Sequence, residues 1–125
     1  MLTSRDTPSV DASAERIARI RDLNDIFRRK LPSVGKGFRV HVTDHVAALG
    51  SVEIAHVLET VRTFDGFGPD NDPYGEHDFG ALDHSGNRLF WKIDCYDKWV
   101  QFGSPDPTDP SVTTRVLTIM RADEY

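Results

Sequence analysis

One cysteine, no long apolar run and no established catalytic motif narrow what this chain of 125 residues can be. Cys95 has no partner for an internal disulfide, so a reducing cytoplasm is the expected setting. No stretch approaches the roughly 18 consecutive apolar residues of a membrane span. Met1 to Asp6 lacks the apolar core of a signal peptide. There is no His-Glu-x-x-His, no paired-cysteine spacing and no calcium-loop pattern. Ser104, His77 and Asp94 could be assembled into a triad on paper, but the Gly-x-Ser-x-Gly elbow is missing. Gly35-Lys36-Gly37 lacks the spacing of a phosphate loop and reads as a connector.

What is present suits a folded domain. Hydrophobic residues make up 38% and charged residues 28%, values typical of globular rather than disordered chains. The expected organisation is a flexible segment over residues 1–12 and one domain over 13–125. The net charge of −5 is unevenly spread: residues 1–43 carry +4 and residues 44–125 carry −9. An acidic body disfavours nucleic acid, whose binders need a basic footprint. The cluster Arg16, Arg19, Arg28, Arg29 and Lys30 is the one place such a footprint could form. Its simpler reading is complementation of a helix C-terminus.

Periodicity supplies the elements. Ile17, Ile20, Leu23, Phe27 and Leu31 fall within one arc at helical spacing, predicting an amphipathic helix over 13–30 capped by Asp11 or Ser13. Phe38 to Thr43 alternates in period two and reads as a strand. A short turn over 46–49 follows, capped by Thr43 or Asp44 and closed by Gly50. A second helix then starts at Ser51, with Ile54, Val57, Leu58, Val61 and Phe64 inward and His56 and Glu59 outward. Strands are expected at 80–83 and 88–96, joined by a turn at 84–87. Asp97-Lys98 should reverse the chain into a strand over 99–102, and the last strand covers 113–120. Pro105, Pro107 and Pro110 exclude regular structure between them. The fold class is α+β: two helices packed on a mostly antiparallel sheet of about four to five strands, in the order α-β-α-β-β-β-β.

Chemistry concentrates in the loop before the long strand. Asp70 to Gly80 packs four carboxylates, a histidine, a tyrosine and two glycines into eleven residues, and long loops in compact domains are often functional. Glu76, His77, Asp78 and Asp94 are the candidates for acid–base work, and Glu76, His77 and Asp78 for metal ligation. In an extended chain, however, His77 points away from Glu76 and Asp78. The simpler reading is a turn whose Asp and Asn side chains bond local backbone and whose Tyr74 packs on the body. Phe90, Lys92, Asp94 and Tyr96 share one strand face, either as an ion pair beside aromatic packing or as a shallow binding surface. Asp106 and Asp109 could join Asp70 and Asp72 in an acidic rim. Asp70, Asp72, Tyr74, Phe90, Lys92, Tyr96, Asp106 and Asp109 are thus the binding candidates.

Three blocks stand out together: Asn71-Asp72-Pro73-Tyr74-Gly75-Glu76-His77-Asp78-Phe79-Gly80, Phe90-Trp91-Lys92-Ile93-Asp94, and Thr114-Arg115-Val116-Leu117-Thr118-Ile119-Met120. Together with the segment at 19–25 they resemble a family of small alphaproteobacterial proteins known only as a domain of unknown function, often borne on plasmids or other mobile elements. The resemblance implies a bacterial cytosolic protein and carries no activity, cofactor or catalytic residue. Where the family strand ends in two tyrosines this chain has Cys95-Tyr96, which argues against a required thiol. The expected function is that of an accessory protein, in a mobile-element setting a counter-defence factor, binding a protein partner through acidic loops and an aromatic strand face. The alternative is a metal-assisted or acid–base hydrolase centred on Glu76, His77 and Asp78.

Overall fold

The computed structural model describes residues 10–125. The frayed segment expected at the N-terminus lies for the most part outside those residues. The order is α1 (Val10–Arg29), β1 (Phe38–Val42), α2 (Asp44–Ala47), α3 (Ser51–Arg62), β2 (Phe79–His84), β3 (Asn87–Tyr96) and β4 (Thr114–Arg121). Single 3-10 turns at Pro110–Val112 and Ala122–Glu124 flank β4. The fold is α+β, with the helices packed on one face of a four-stranded sheet of order β1-β4-β3-β2.

The helices follow from the stripes. On α1, Ile20, Leu23 and Phe27 are buried, as is Leu31 just past its end. On α3, Val57 and Val61 are fully buried, while Ile54 and Leu58 are half-buried and His56 and Glu59 exposed. Two starts differ from expectation. The first helix begins at Val10, so Ser13 lies within its first turns rather than at its cap. The turn expected at 46–49 is instead the single helical turn α2, two residues earlier, with Thr43 at its cap position.

Alternation governs the sheet. Leu89, Trp91 and Ile93 of β3 face Leu117 and Ile119 of β4 beneath the helices, each fully buried aliphatic side chain there contributing about 1.5–3 kcal/mol. The β2–β3 hairpin closes through Ser85 and Gly86 at φ 49° and 81°, the positive pair that a two-residue reversal requires. Two ladders are antiparallel, but β1 runs parallel to β4, Phe38 opposite Arg115 and Val42 opposite Ile119. The sheet is therefore mixed, because α2 and α3 carry the chain from one sheet edge to the other.

The strand expected at 99–102 does not form. Asp97 accepts from the backbone N–H of Trp99 (3.1 Å) and of Gln101 (3.0 Å), curling the chain so that a lone bridge, Tyr96 to Gly103, remains. Local side-chain bonding has displaced the ladder that the aromatic pattern suggested.

Candidate functional site

Residues 63–78, between α3 and β2, are tied to α1, whose Arg21 and Asn24 side chains donate to the Gly75 and Glu76 carbonyls. Asn71 accepts from the Gly68 N–H at 2.8 Å and donates to the Gly66 carbonyl at 3.0 Å. Asp72 accepts from the His77 N–H at 3.1 Å. This is the local turn chemistry expected of an Asx-rich loop. It delivers His77, at φ 54°, between Phe67 and Asp72 of the same loop and Asp25 of α1. The ring stacks on Phe67 with centroids 3.8 Å apart and planes within 4°. Its Nδ1 lies 3.0 Å from an Asp25 carboxylate oxygen, and its Nε2 lies 3.7 Å from Asp72. Nδ1 is thus hydrogen-bonded to Asp25, while Nε2 stands beyond hydrogen-bond distance of Asp72.

Glu76 and Asp78 face a different site, on either side of a His77 backbone that is left-handed and not extended. With Asp94, Cys95, Arg16, Asn24 and Pro107 they line a cleft of about 290 Å³. Burial, with Asp78 and Asp72 adding to it, raises the Glu76 carboxyl above its ordinary value. Burial likewise raises Asp78, against the pull of a backbone hydrogen bond. Burial also pushes the Cys95 thiol up, which disfavours a thiolate nucleophile. Among the described residues no set of three or more His, Cys, Asp or Glu side chains could hold a metal ion. The chain thus separates Glu76 and Asp78 from His77 instead of converging all three.

The remaining binding candidates scatter. Asp72 has a buried side chain turned to His77. Asp106 accepts from Thr108 and pairs with Arg16, and Asp109 caps the 3-10 turn through Ser111. Both are absorbed in their own turns, while Asp70 is exposed. No shared acidic rim results from this arrangement. Tyr74 is 76% exposed rather than packed on the body. Lys92 and Asp94 pair at 3.0 Å, not across strands but as neighbours on the same face of β3. Phe90 meets Phe79 and the C-terminal Tyr125 edge-on at 5.1 and 5.6 Å. Tyr96, half-buried, stands opposite Thr114 at the end of the same face. The basic helix positions are dispersed as well. Arg28 is buried, and Arg16 is paired with Asp106.

Residues that the sequence reading passed over organise the site. Arg115, buried on β4, donates to Asn24 (2.9 Å) and to the Pro107 carbonyl, and Asn24 donates to the Glu76 carbonyl at 3.0 Å. Asp25 joins Arg28 at 2.9 Å and His77 at 3.0 Å. The family model described as "Protein of unknown function (DUF3768)" matches residues 42–124. The chain belongs to this family. No curated protein and no solved structure matches. In this DUF3768 chain, α1 lies outside the matched residues, yet it supplies Asn24, Asp25 and Arg28 to the packing of the loop within them.

The same matched region ends in a charged clasp. Glu124 faces His45 at 3.0 Å and accepts from Thr43 and from the Arg121 N–H. The His45 contact first, and the Arg121 N–H next, hold its carboxyl down to about 2. A carboxyl held low favours the folded tail above its ordinary value and loses that contribution as pH falls through the lowered one. An NMR titration of the Glu124 carboxyl carbon should find a midpoint near 2, and His45→Ala should move it up. A wild-type midpoint at the ordinary value of 4.5 would refute the clasp.

Proposed function

We propose that this protein is a small interaction module that engages a protein partner through the loop after β3. One observation carries the reading: Trp99 and Phe102 are 73% and 72% exposed on a loop that is itself tightly fastened. The Asp97 N–H donates to the Phe102 carbonyl at 2.8 Å, the Val100 N–H to the Asp97 carbonyl at 3.1 Å, and the Ser104 N–H to the Cys95 carbonyl at 3.0 Å. Val100 sits at φ 56°, a conformation that costs a β-branched residue about 1–3 kcal/mol. A chain that sustains such strain to hold two large aromatics in water has the form of a preorganised anchor. Exposed, rigid aromatics are the side chains most enriched among binding hot spots.

The anchor differs from the surface expected from the sequence: Phe90 of the strand face packs on Phe79 and Tyr125, and Asp106 and Asp109 serve their own turns. As an accessory factor, in a mobile-element setting a counter-defence one, the protein would act by covering a surface of its partner. The alternative, an acid–base hydrolase, rests on the raised carboxyls of Glu76 and Asp78 in their cleft. His77 does not line that cleft.

The test is capture from the native host with a photo-crosslinker at Gln101, compared between wild type and the Trp99→Ala and Phe102→Ala variants. One protein should crosslink to wild type and fall at least about tenfold in each variant, the loss of about 1.4 kcal/mol or more expected of a hot spot. Both variants should melt within a few degrees of wild type, since the lost rings are exposed. Equal capture by all three proteins would reject the loop as the anchor.

A further inference from the structure

Beside that loop, at the same end of the sheet, lies a groove of about 650 Å³ lined by Lys36, Gly37, Phe38 and Arg39 on one side and Lys98, Pro110 and Ser111 on the other. The topology makes the juxtaposition. Tyr96 stands opposite Thr114, and the Arg115 N–H donates to the Gly37 carbonyl at 2.8 Å. The start of β1, the start of β4 and the end of β3 therefore meet there. Thr113 and Thr114 form the floor. Gly37 takes φ 86°, in the left-handed region that favours glycine.

The groove carries positive charge. Lys36, Arg39 and Lys98 are exposed, and none of them forms an ion pair among the described residues. The carboxylates closest along the chain, Asp97 and Asp109, are engaged by backbone N–H groups of their own turns. Three unpartnered cations thus converge on a protein whose net charge is −5. The body carries −9 over residues 44–125, so a long polyanion would be repelled wherever it left the groove. A short anionic segment fitted to the groove avoids that cost. Phe38 and Pro110 offer it apolar contact between the charges.

β1 is also an edge strand, paired with β4 alone. Its register spends the N–H of Thr43 on the Ile119 carbonyl. By the alternation of a parallel ladder, Val40 and Val42 then present their backbone groups to the open side. That edge lies on the side of β1 away from β4, whereas the groove floor is Thr113 and Thr114 at the start of β4, so side-chain cations and not ladder bonds recognise a segment in the groove.

We propose that the groove receives an acidic, extended segment of the partner protein, its carboxylates paired with Lys36, Arg39 and Lys98, next to the anchor made by Trp99 and Phe102. The inference rests on the interaction reading and names the chemistry of the partner.

Fluorescence anisotropy against three short labelled peptide pools, rich in Asp/Glu, in Asn/Gln or in Lys/Arg around apolar residues, tests it, with a labelled oligothymidylate as the fourth probe. The acidic pool should bind best, and its affinity should fall with added salt. The combined substitution Lys36→Glu, Arg39→Glu, Lys98→Glu should weaken it by about tenfold or more and shift the preference to the basic pool. All three side chains are exposed, and an unchanged circular dichroism melt checks that the variant folds. Binding that is lost in Trp99→Ala but indifferent to peptide charge and to the reversals overturns the acidic segment while leaving the interaction reading in place. Preferential, reversal-sensitive binding of the oligothymidylate overturns it in favour of nucleic acid. Absence of binding by every probe overturns it too, and the crosslinking comparison then decides the interaction reading separately.

Discussion

Arg28→Met should destabilise the protein by about 3–5 kcal/mol, seen as a Tm lower by on the order of 10–20 °C. The side chain is 3% exposed and reaches from α1 under the end of α3. There it donates to the Val61 carbonyl at 2.9 Å and the Phe64 carbonyl at 2.7 Å. These belong to the last turn of α3 and the residues just beyond it, where carbonyls lack intrahelical partners and the helix dipole is negative. The same guanidinium pairs with Asp25 at 2.9 Å and lies over the rings of Phe67 and Trp91 at 5.2 and 5.3 Å. Methionine keeps much of the volume but strands the Phe64 carbonyl, leaves the Val61 carbonyl with the Phe64 N–H alone, and weakens the support of a buried carboxylate. Lysine should rescue little, because one ammonium cannot reproduce the fork. Adding Asp25→Asn to Arg28→Met should recover part of the loss by removing the orphaned charge. A drop below about 1 kcal/mol in urea unfolding would refute this account, since that is the range of an ordinary surface pair.

Arg28 also shows where the sequence stops being legible. At the end of an amphipathic helix, with Arg29 and Lys30 beside it, it reads as a residue complementing its own helix or as part of a basic patch. It does complement a dipole, but that of α3. Nothing local announces which helix end a long side chain will reach. The hydrophobic stripes of α1 and α3 and the alternation of β3 were legible because burial of one face imposes a period. The Asx chemistry of the loop before β2 was legible because Asn71 and Asp72 bond within a few residues of themselves. Asn24, Asp25 and Arg115 were not, since buried polar residues are specified by partners far away in sequence. The spacing of Asp25, Arg28 and Arg29 at i, i+3 and i+4 was the one available hint. The false strand at 99–102 has the opposite cause: its aromatic pattern was strong, and the single carboxylate of Asp97 outweighed it.

Gly80 carries the second large effect, and it too is invisible from composition. It closes the Gly/Pro/Asp-rich stretch and looks like one more loop glycine, yet it is buried in β2 directly opposite Trp91. A methyl group there would overlap the indole at Nε1 and Cε2 and stand 2.8 Å from the Phe64 ring. Backbone conformation does not require the glycine, because its φ lies outside the left-handed range. The absence of a side chain is what lets Trp91 lie flat against the strand at 0% exposure, edge-on to Phe64 and Phe67 at 5.5 and 6.1 Å. Gly80→Ala should therefore cost about 3 kcal/mol, the upper end of overpacking penalties, since three close contacts must yield at once. Its signature is a coupling. Trp91→Phe alone should lose about 1–3 kcal/mol through the cavity it leaves. Placed on Gly80→Ala, it should cost less, because two of the three clashing atoms, the indole Nε1 and Cε2, are removed while the Phe64 contact stays. It leaves no polar partner behind, the indole Nε1 having none in the folded protein. Urea unfolding of the four proteins gives the coupling directly. Additive losses would mean that the strand moves aside to admit the methyl group, and the close approach of Gly80 to Trp91 would then not be what sets the packing of β2 under α3.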